Sequence, residues 1–239
     1  MKLERLDKIL TSTGKWTRKE ARTLIREGRV SVDGGAVRDP SAKFDAESVT
    51  LSADGEMIRY RRVTWVMLNK PAGYLTATED RRAPTVMDLL PPELRNLFPV
   101  GRLDKDTEGL LLLTNDGATA HALLSPRRHI DKTYYVRVSG RLTQSDVDAF
   151  RHGVTLSDGL QCLPADLEIL SAGDDESEAH LTLREGKFHQ VKRMLGERGK
   201  AVLYLERVKM GALTLDLTLE RGSFRFLTEK EVENLGNFS

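Results

Sequence analysis

The segment that most limits how this chain can fold is VGRLDKDTEGLLLLTNDG, at residues 100–117. It places four carboxylates within thirteen residues around the short apolar run Leu110–Leu113. Such a run is typical of a buried strand, and carboxylates on either side often cap the adjoining turns. A pair such as Asp104 and Glu108 would also suit general acid and base catalysis of a hydrolysis. The residues alone favour the capped turns and leave the catalytic pair as the alternative.

Strand-like and helix-like segments follow one another from Val63 onward without strict alternation. We expect strands at Val63–Leu68, Gly109–Leu113, Tyr134–Val138, His180–Leu183, Val202–Lys209 and Leu213–Leu217. We expect helices at Thr85–Leu90, Ala118–Leu124, Gln144–Arg151 and Phe188–Glu197, and a last helix after the capping box Thr228–Glu231. Many sequential strands with short helices between them predict an α+β domain on a mixed or antiparallel sheet.

The front of the chain differs from the rest in charge. Residues 1–43 hold eleven Lys/Arg and six Asp/Glu, whereas the remainder holds 26 and 30. This balance suggests an anion-binding module, although a solvated charged surface would give the same count. Two helices and a hairpin are predicted here, and the second helix opens with the capping box Thr17–Glu20. Four arginines recur along that helix every three or four residues and share one face: Arg18, Arg22, Arg26 and Arg29. Residues 53–62 are polar and suit a linker.

Composition excludes several classes of protein. Cys162 is the single cysteine, so neither an internal disulfide nor a Cys-rich zinc site can form. No apolar run approaches the roughly 20 residues of a membrane-spanning helix. The N-terminus also lacks the pattern of a signal peptide. We therefore expect a cytoplasmic protein without a membrane partner.

The segment RLDKILTSTGKWTRKEARTLIREGRVSVDG resembles an S4 domain, a small RNA-binding module of ribosomal proteins and RNA-modifying enzymes. The resemblance implies that the second helix contacts RNA phosphates. Phosphate contacts position a protein without specifying a sequence, and they weaken with salt. We expect an S4 domain over residues 1–60 and a catalytic domain over residues 61–239. The implied RNA-binding residues are Arg18, Lys19, Arg22 and Arg26.

The segment GRLDKDTEGLLLLTNDG resembles the active-site motif of bacterial pseudouridine synthases that modify ribosomal RNA. Three more segments match that family in the expected order: LNKPAG, KTYYVRV and EGKFHQVKRML. The resemblance implies that Asp104 is the catalytic carboxylate, Tyr134 the active-site tyrosine and Lys192 the basic partner of Asp104. Lys70 is expected only to shape the backbone near the pocket. Arg102 is a candidate for an RNA contact, either with a phosphate or in the space of a flipped nucleotide, with a structural salt bridge as the alternative.

The implied reaction explains these residue types. A carboxylate could attack C6 of uracil or C1′ of ribose, or support a glycal route by removing a proton, and the sequence leaves all three open. A cation beside the carboxylate favours its charged form, which is the expected role of Lys192. Tyr134 offers a stacking face, whereas Tyr135 should lie on the opposite face of its strand. Every atom is conserved in the isomerisation, so no cofactor or metal is implied.

The form FHQVKRM is closest to the branch of the family that modifies the small subunit, with His189 as a marker of subtype. The implied target is uridine 516 of 16S rRNA, free or in a partly assembled particle, and the expected state is a monomer. Two alternatives remain, a synthase acting on 23S rRNA and a non-catalytic RNA-binding ribosome-assembly factor.

Overall fold

The computed structural model of this protein describes residues 3–58, 60, 63–125 and 128–236. It divides into two compact units. One contains the described residues of Met1–Thr64 together with Leu90–Phe98, and the other those of Trp65–Leu89 and Pro99–Ser239. Residues 59, 61 and 62, at the end of the expected linker, lie outside the described residues. Within the described ranges, no helix is long and apolar enough to cross a membrane.

The first unit packs two helices against short strands. Up to Thr64 its described elements are β1 (Glu4–Arg5), α1 (Leu6–Ser12), α2 (Arg18–Arg26), β2 (Val30–Val32), β3 (Gly35–Ala36), β4 (Lys43–Phe44), β5 (Leu51–Ala53) and β6 (Glu56–Ile58). Strand β1 pairs with β4, and β3, β2, β5 and β6 form an antiparallel sheet in that order. The apolar faces of both helices lie in one core with the inner residues of this sheet.

The predicted linker over residues 53–62 is wrong where it meets this sheet, because β6 pairs with β5. The reason is the turn Asp54-Gly55, at which both residues have positive φ, 52° and 81°. Asp-Gly is a preferred pair for the tight hairpin turn that needs positive φ at both positions. The polar composition that suggested a linker is therefore that of a hairpin whose outer face is exposed.

Helix α2 begins as predicted. The Thr17 hydroxyl accepts from the Glu20 backbone N–H at 3.3 Å, and the Glu20 carboxylate accepts from the Thr17 N–H at 2.7 Å. Arg18, Lys19 and Arg26 are exposed along the helix.

Arg22 differs from its exposed neighbours because it is tied to a buried carboxylate on α1. Its Nε donates to Asp7 at 2.9 Å, and Arg5 donates to the same carboxylate at 2.9 and 3.0 Å. Asp7 is only 3% exposed. The hydrogen bonds from Arg5 and then Arg22 overcome the effect of burial and lower the pKa of Asp7 to about 2. Arg22 therefore joins the two helices and is only partly available to a ligand.

The second unit is an α+β domain built on one large mixed sheet. Its strands are β7 (Trp65–Lys70), β9 (Glu108–Thr114), β10 (Lys132–Ser139), β11 (Asp166–Ala172), β12 (Glu176–Leu183), β13 (Val202–Met210), β14 (Leu213–Thr214) and β15 (Phe224–Phe226), and β8 (Phe98–Val100) precedes β9. Its described α-helices are α3 (Gly117–Leu124), α4 (Gln144–His152), α5 (Gln190–Glu197) and α6 (Glu229–Gly236). The strand order is β11-β12-β10-β13-β9-β7-β15, with β14 beside β13. The pair β13–β9 is parallel, and its neighbours in this order are antiparallel.

Strand β9 is central, and the residues of its run Leu110–Leu113 are all fully buried, as the apolar run predicts. Three expectations need correction. Thr85–Leu90 contains only a 3₁₀ turn, Val86–Leu89, and the strand expected at Leu213–Leu217 ends at Thr214. The helix expected from Phe188 begins at Gln190, because His189 takes a left-handed backbone conformation with φ 48°. Strand β11 was not predicted; it lies at the edge of the sheet, and most of its residues are exposed.

We predict that Arg22→Ala lowers the free energy of unfolding of the first unit by about 1–2 kcal/mol, because a buried carboxylate loses one of its two cationic partners. Arg18→Ala is the matched control on the same helix, and its effect should stay within about 0.5 kcal/mol. Amide hydrogen exchange of α1 and α2 in the full chain measures both. Equal protection in the two variants would contradict the structural role of Arg22.

Candidate active site

The candidate site is built around the loop that precedes the central strand, residues Gly101–Thr107, called here the aspartate loop. It carries Asp104 and Asp106. The Thr107 N–H donates to the Asp104 carbonyl at 3.1 Å, which closes a turn. On the other side of Asp104, the Thr76 hydroxyl donates to the Leu103 carbonyl at 2.7 Å and accepts from the Leu103 N–H at 3.1 Å. Hydrogen bonds therefore fix the backbone on both sides of Asp104.

Lys70, the last residue of β7, also stabilises the aspartate loop. Its ammonium is fully buried and donates to the carbonyls of Thr107 at 2.8 Å, Pro71 at 3.1 Å and Lys105 at 3.2 Å. Burial lowers the pKa of Lys70 to about 8, and the nearby carboxylate of Glu108 is the largest opposing effect. Hydrogen bonds to backbone carbonyls, rather than an ion pair with a carboxylate, stabilise this buried ammonium. The role expected from the sequence, shaping the backbone near the pocket, agrees with these contacts.

Glu108, the alternative acid or base, is occupied with structural contacts. Its Oε1 accepts from the Ala72 N–H at 3.2 Å, and its Oε2 accepts from the Tyr204 hydroxyl at 2.8 Å. Arg221 Nε lies 3.1 Å from the same Oε2. A carboxylate with these partners joins three segments of the chain and has little freedom to exchange protons with a substrate. The geometry therefore does not favour the hydrolytic pair of Asp104 and Glu108.

Two nitrogen-containing side chains near the start of helix α5, those of Lys192 and His189, lie beside the aspartate loop. Lys192 Nζ lies 3.4 Å from Asp104 Oδ2 and 2.6 Å from Asp106 Oδ1. The expected pairing of Lys192 with Asp104 is present, but the shorter bond goes to Asp106. That bond lowers the pKa of Asp106, which is otherwise largely exposed. One ammonium is therefore shared between two carboxylates.

His189 is the second of these side chains, and its Nε2 lies 3.6 Å from Asp104 Oδ1. The sequence treated His189 only as a marker of subtype and gave no reason to place it against Asp104. Its position depends on the left-handed backbone at φ 48°, which no periodicity reveals, although histidine is among the residues that tolerate it. The imidazole is stacked on the ring of Phe188, with centroids 3.8 Å apart.

A cavity of about 760 Å³ lies beside Asp104, wholly within the second unit. Tyr134 is buried in its wall, whereas Tyr135 packs on the other face of the sheet against Tyr204, edge to face at 6.0 Å. The predicted alternation along β10 is confirmed. Arg102 is exposed on the cavity rim and makes no ion pair with the residues that the structure describes. The structural salt bridge considered for Arg102 is therefore absent from that part of the chain.

Arg207 also lines the cavity, and the sequence gave no signal for it. It lies opposite Tyr134 in the register of β10 and β13 and is 2% exposed. Its Nε donates to the Leu110 carbonyl at 2.8 Å, while Nη2 has no hydrogen-bond partner among the described residues. This buried guanidinium places a positive charge beside the candidate tyrosine, on the neighbouring strand.

Of the predicted site residues, the structure places Asp104, Tyr134 and Arg102 in the lining of this cavity, and Lys192 contacts Asp104 without lining it. The remaining four lie on α2 of the first unit. Among the described residues there is no group of three or more His, Cys, Asp or Glu side chains that could hold a metal ion.

Comparison with known proteins matches both units of the chain. Residues 4–49 match the S4 domain and residues 64–197 match the RNA pseudouridylate synthase family. A protein of Bacillus subtilis named as an uncharacterised RNA pseudouridine synthase is 43% identical, over 97% of this chain and 98% of its own length. Ribosomal small subunit pseudouridine synthase A of Vibrio parahaemolyticus is 40% identical, over 98% of this chain and 100% of that protein. Its namesake in Escherichia coli is 37% identical, over 97% and 99%.

A solved structure agrees with these relatives. A crystal structure of a pseudouridylate synthase is 36% identical and matches with a TM-score of 0.68, covering 97% of this chain and 99% of that one. The fold of both units is therefore shared along almost the whole chain.

We predict that Lys192→Met raises the pKa of Asp106 toward its ordinary value, because the ammonium that stabilises its charged form is gone. Lys192→Arg should keep that pKa low. Arg193→Gln is the matched control, since it removes the next cation of α5, whose partner is Asp158. Carbon-detected NMR titration of the aspartates measures all three. A pKa of Asp106 that does not respond to Lys192→Met would refute the shared ammonium.

Proposed function

This chain belongs to the RNA pseudouridine synthase family and carries an N-terminal S4 domain, and on that premise we propose that it isomerises uridine 516 of 16S rRNA to pseudouridine. The observation that carries the proposal is the position of Asp104, a part-buried carboxylate on a cavity wall with Lys192 at 3.4 Å and His189 at 3.6 Å. Proteins named as small-subunit synthases align with this chain along their full length, which supports the choice of 16S rRNA.

The reaction asks Asp104 to be ionised beside a flipped uridine. The Lys192 ammonium supplies the nearby positive charge, and its shorter bond goes to Asp106, so the Asp104 carboxylate remains accessible to a substrate. The carboxylate starts the cleavage of the bond between C1′ and N1, at C6, at C1′ or by proton removal from the sugar. The base then turns and rejoins through C5. No atom is gained or lost, so the chemistry calls for no cofactor.

Tyr134 and Arg102 have separate tasks in this proposal. Tyr134 stacks on the extruded uracil from the cavity wall, and its hydroxyl is available for the proton at C5. Arg102, exposed on the rim, occupies the space that the flipped nucleotide leaves or binds its phosphate. Extrusion costs least for an unpaired or weakly paired uridine.

The S4 domain holds the RNA backbone in this proposal. Arg18, Lys19 and Arg26 are exposed and provide phosphate contacts, whereas Arg22 contributes less because Asp7 engages it. In this proposal the protein acts as a monomer on ribosomal RNA in the cytoplasm, free or in a partly assembled particle.

We predict that Asp104→Asn lowers product formation by roughly a thousandfold or more and leaves RNA affinity nearly unchanged. Asp106→Asn, in the same loop and bonded to the same lysine, is the matched control and should still form product. Pseudouridine mapping on unmodified 16S and 23S rRNA, free and in particles, measures both. Turnover by Asp104→Asn would overturn the catalytic role.

The same mapping separates the two alternative functions. A single new site in 23S rRNA would replace the proposed target by a large-subunit one. Absence of product from wild-type protein on every RNA, with RNA binding retained, would favour a non-catalytic assembly factor.

We predict that Arg18→Gln, Lys19→Gln and Arg26→Gln each weaken RNA binding and reduce the slope of log Kd against log salt by roughly one counterion. Arg29→Gln is the control, because its guanidinium is already paired with Asp54 and Glu27 and should leave the slope unchanged. Titrations at several salt concentrations measure the slopes. Unaltered slopes in the three test variants would mean that this helix is only a solvated face.

A further inference from the structure

Phe188 is a large aromatic side chain that lies in the open, beside the candidate active site. It is 76% exposed and lines the rim of the cavity next to Asp104. A phenylalanine ring in water forgoes most of the stabilisation that burial would give it. This ring lies outside the core although helix α5 begins two residues later, at Gln190, and its apolar residues Val191, Met194 and Leu195 are buried.

The exposure follows from the backbone at the neighbouring residue. His189 has φ 48°, in the left-handed region that non-glycine residues seldom adopt. This conformation turns the imidazole toward Asp104 and leaves the Phe188 ring stacked on it, at 3.8 Å and an interplanar angle of 19°. One face of the phenyl ring is thereby covered by the imidazole. The stack also orients the ring as a flat surface at the cavity mouth.

The surroundings of this ring are basic. Arg102 and Lys105 are exposed on the same rim, and neither makes an ion pair with the described residues. Arg184 lines the cavity as well, although Asp131 is 3.2 Å from it. An open aromatic face among cations suits single-stranded nucleic acid, because bases stack on the ring while the cations attract the phosphates.

We propose that Phe188 is a stacking platform for an unpaired base of the RNA that flanks the target uridine. The platform is distinct from Tyr134, which is buried in the cavity wall and reserved for the target uracil itself. This inference rests on the proposed function, since it requires an RNA substrate with one nucleotide inserted in the cavity. It assigns Phe188 to substrate binding, while His189 behind it contacts Asp104.

The platform is tested by binding and by the rate of the chemical step. The probe is a synthetic fragment of the rRNA that the wild-type protein modifies, together with copies in which each nucleotide flanking the target lacks its base. Binding is measured by fluorescence anisotropy in Asp104→Asn protein, so that the RNA stays unconverted. Single-turnover rates at saturating RNA are measured with Asp104 intact.

Phe188→Ala should weaken binding of the intact fragment about tenfold, which corresponds to about 1.4 kcal/mol and lies within the range for base stacking on an aromatic ring. Phe188→Trp should bind within twofold of wild type. On one of the abasic fragments the wild type should lose a similar factor, and Phe188→Ala should lose nothing more. The rate at saturating RNA should stay within about twofold, because the step at Asp104 does not use the phenyl ring.

Leu217→Ala is the matched control, since Leu217 is an apolar side chain that is 93% exposed and does not line the cavity. Its affinity should equal that of wild type. Unchanged affinity in Phe188→Ala, or a loss that persists on every abasic fragment, would overturn the platform. So would a loss of rate at saturating RNA without a loss of affinity, which would assign the ring to the support of His189. Absence of product from wild-type protein on every rRNA would refute the proposed function and this inference with it, whereas normal product with unchanged affinity refutes the platform alone.

Discussion

The buried ammonium of Lys70 connects the elements on which the candidate site depends. An unpaired charge inside a protein is costly, and here the compensation comes from three backbone carbonyls at 2.8 to 3.2 Å. Two of these carbonyls belong to the aspartate loop, so the ammonium helps to hold the loop in place. The Gly73 N–H, which donates to the Lys105 carbonyl at 2.8 Å, adds a second connection between the same two segments. These contacts hold the backbone around Asp104, and its side chain is left to meet Lys192 and His189.

With the loop fixed in this way, side chains near the start of helix α5 determine which charged and polar groups surround Asp104. The Lys192 ammonium is shared between Asp104 and Asp106, and the His189 imidazole lies near the other carboxylate oxygen of Asp104. The Lys192 ammonium lies 2.6 Å from Asp106 and 3.4 Å from Asp104, so its shorter bond goes to Asp106. The left-handed residue that starts the helix also places Phe188 at the cavity mouth.

The basic stripe of the S4 domain contains two kinds of residue: exposed cations, and one cation that is bonded to a buried carboxylate. Arg18 and Arg26 are free of ion pairs within the described part of the chain, and Lys19 is exposed beside them. Arg22, at the same helical spacing, donates to the buried Asp7 and so stabilises the packing of α2 on α1. Charge and spacing alone make these cations look equivalent. Their difference depends on whether a carboxylate of the neighbouring helix lies below them.

The sequence by itself determined the features that depend on neighbours along the chain. The capping box at Thr17, the buried run Leu110–Leu113 and the alternation of Tyr134 and Tyr135 are local patterns, and the structure has all three. The order of the four motifs was sufficient to indicate the family. Only the tertiary structure decided that Lys192 meets Asp106 across 86 positions, that Glu108 is taken by Tyr204 and Arg221, and that His189 reaches Asp104. Such contacts depend on how strands distant in sequence pair in the sheet and on one left-handed residue, and neither leaves a periodic signal in the sequence.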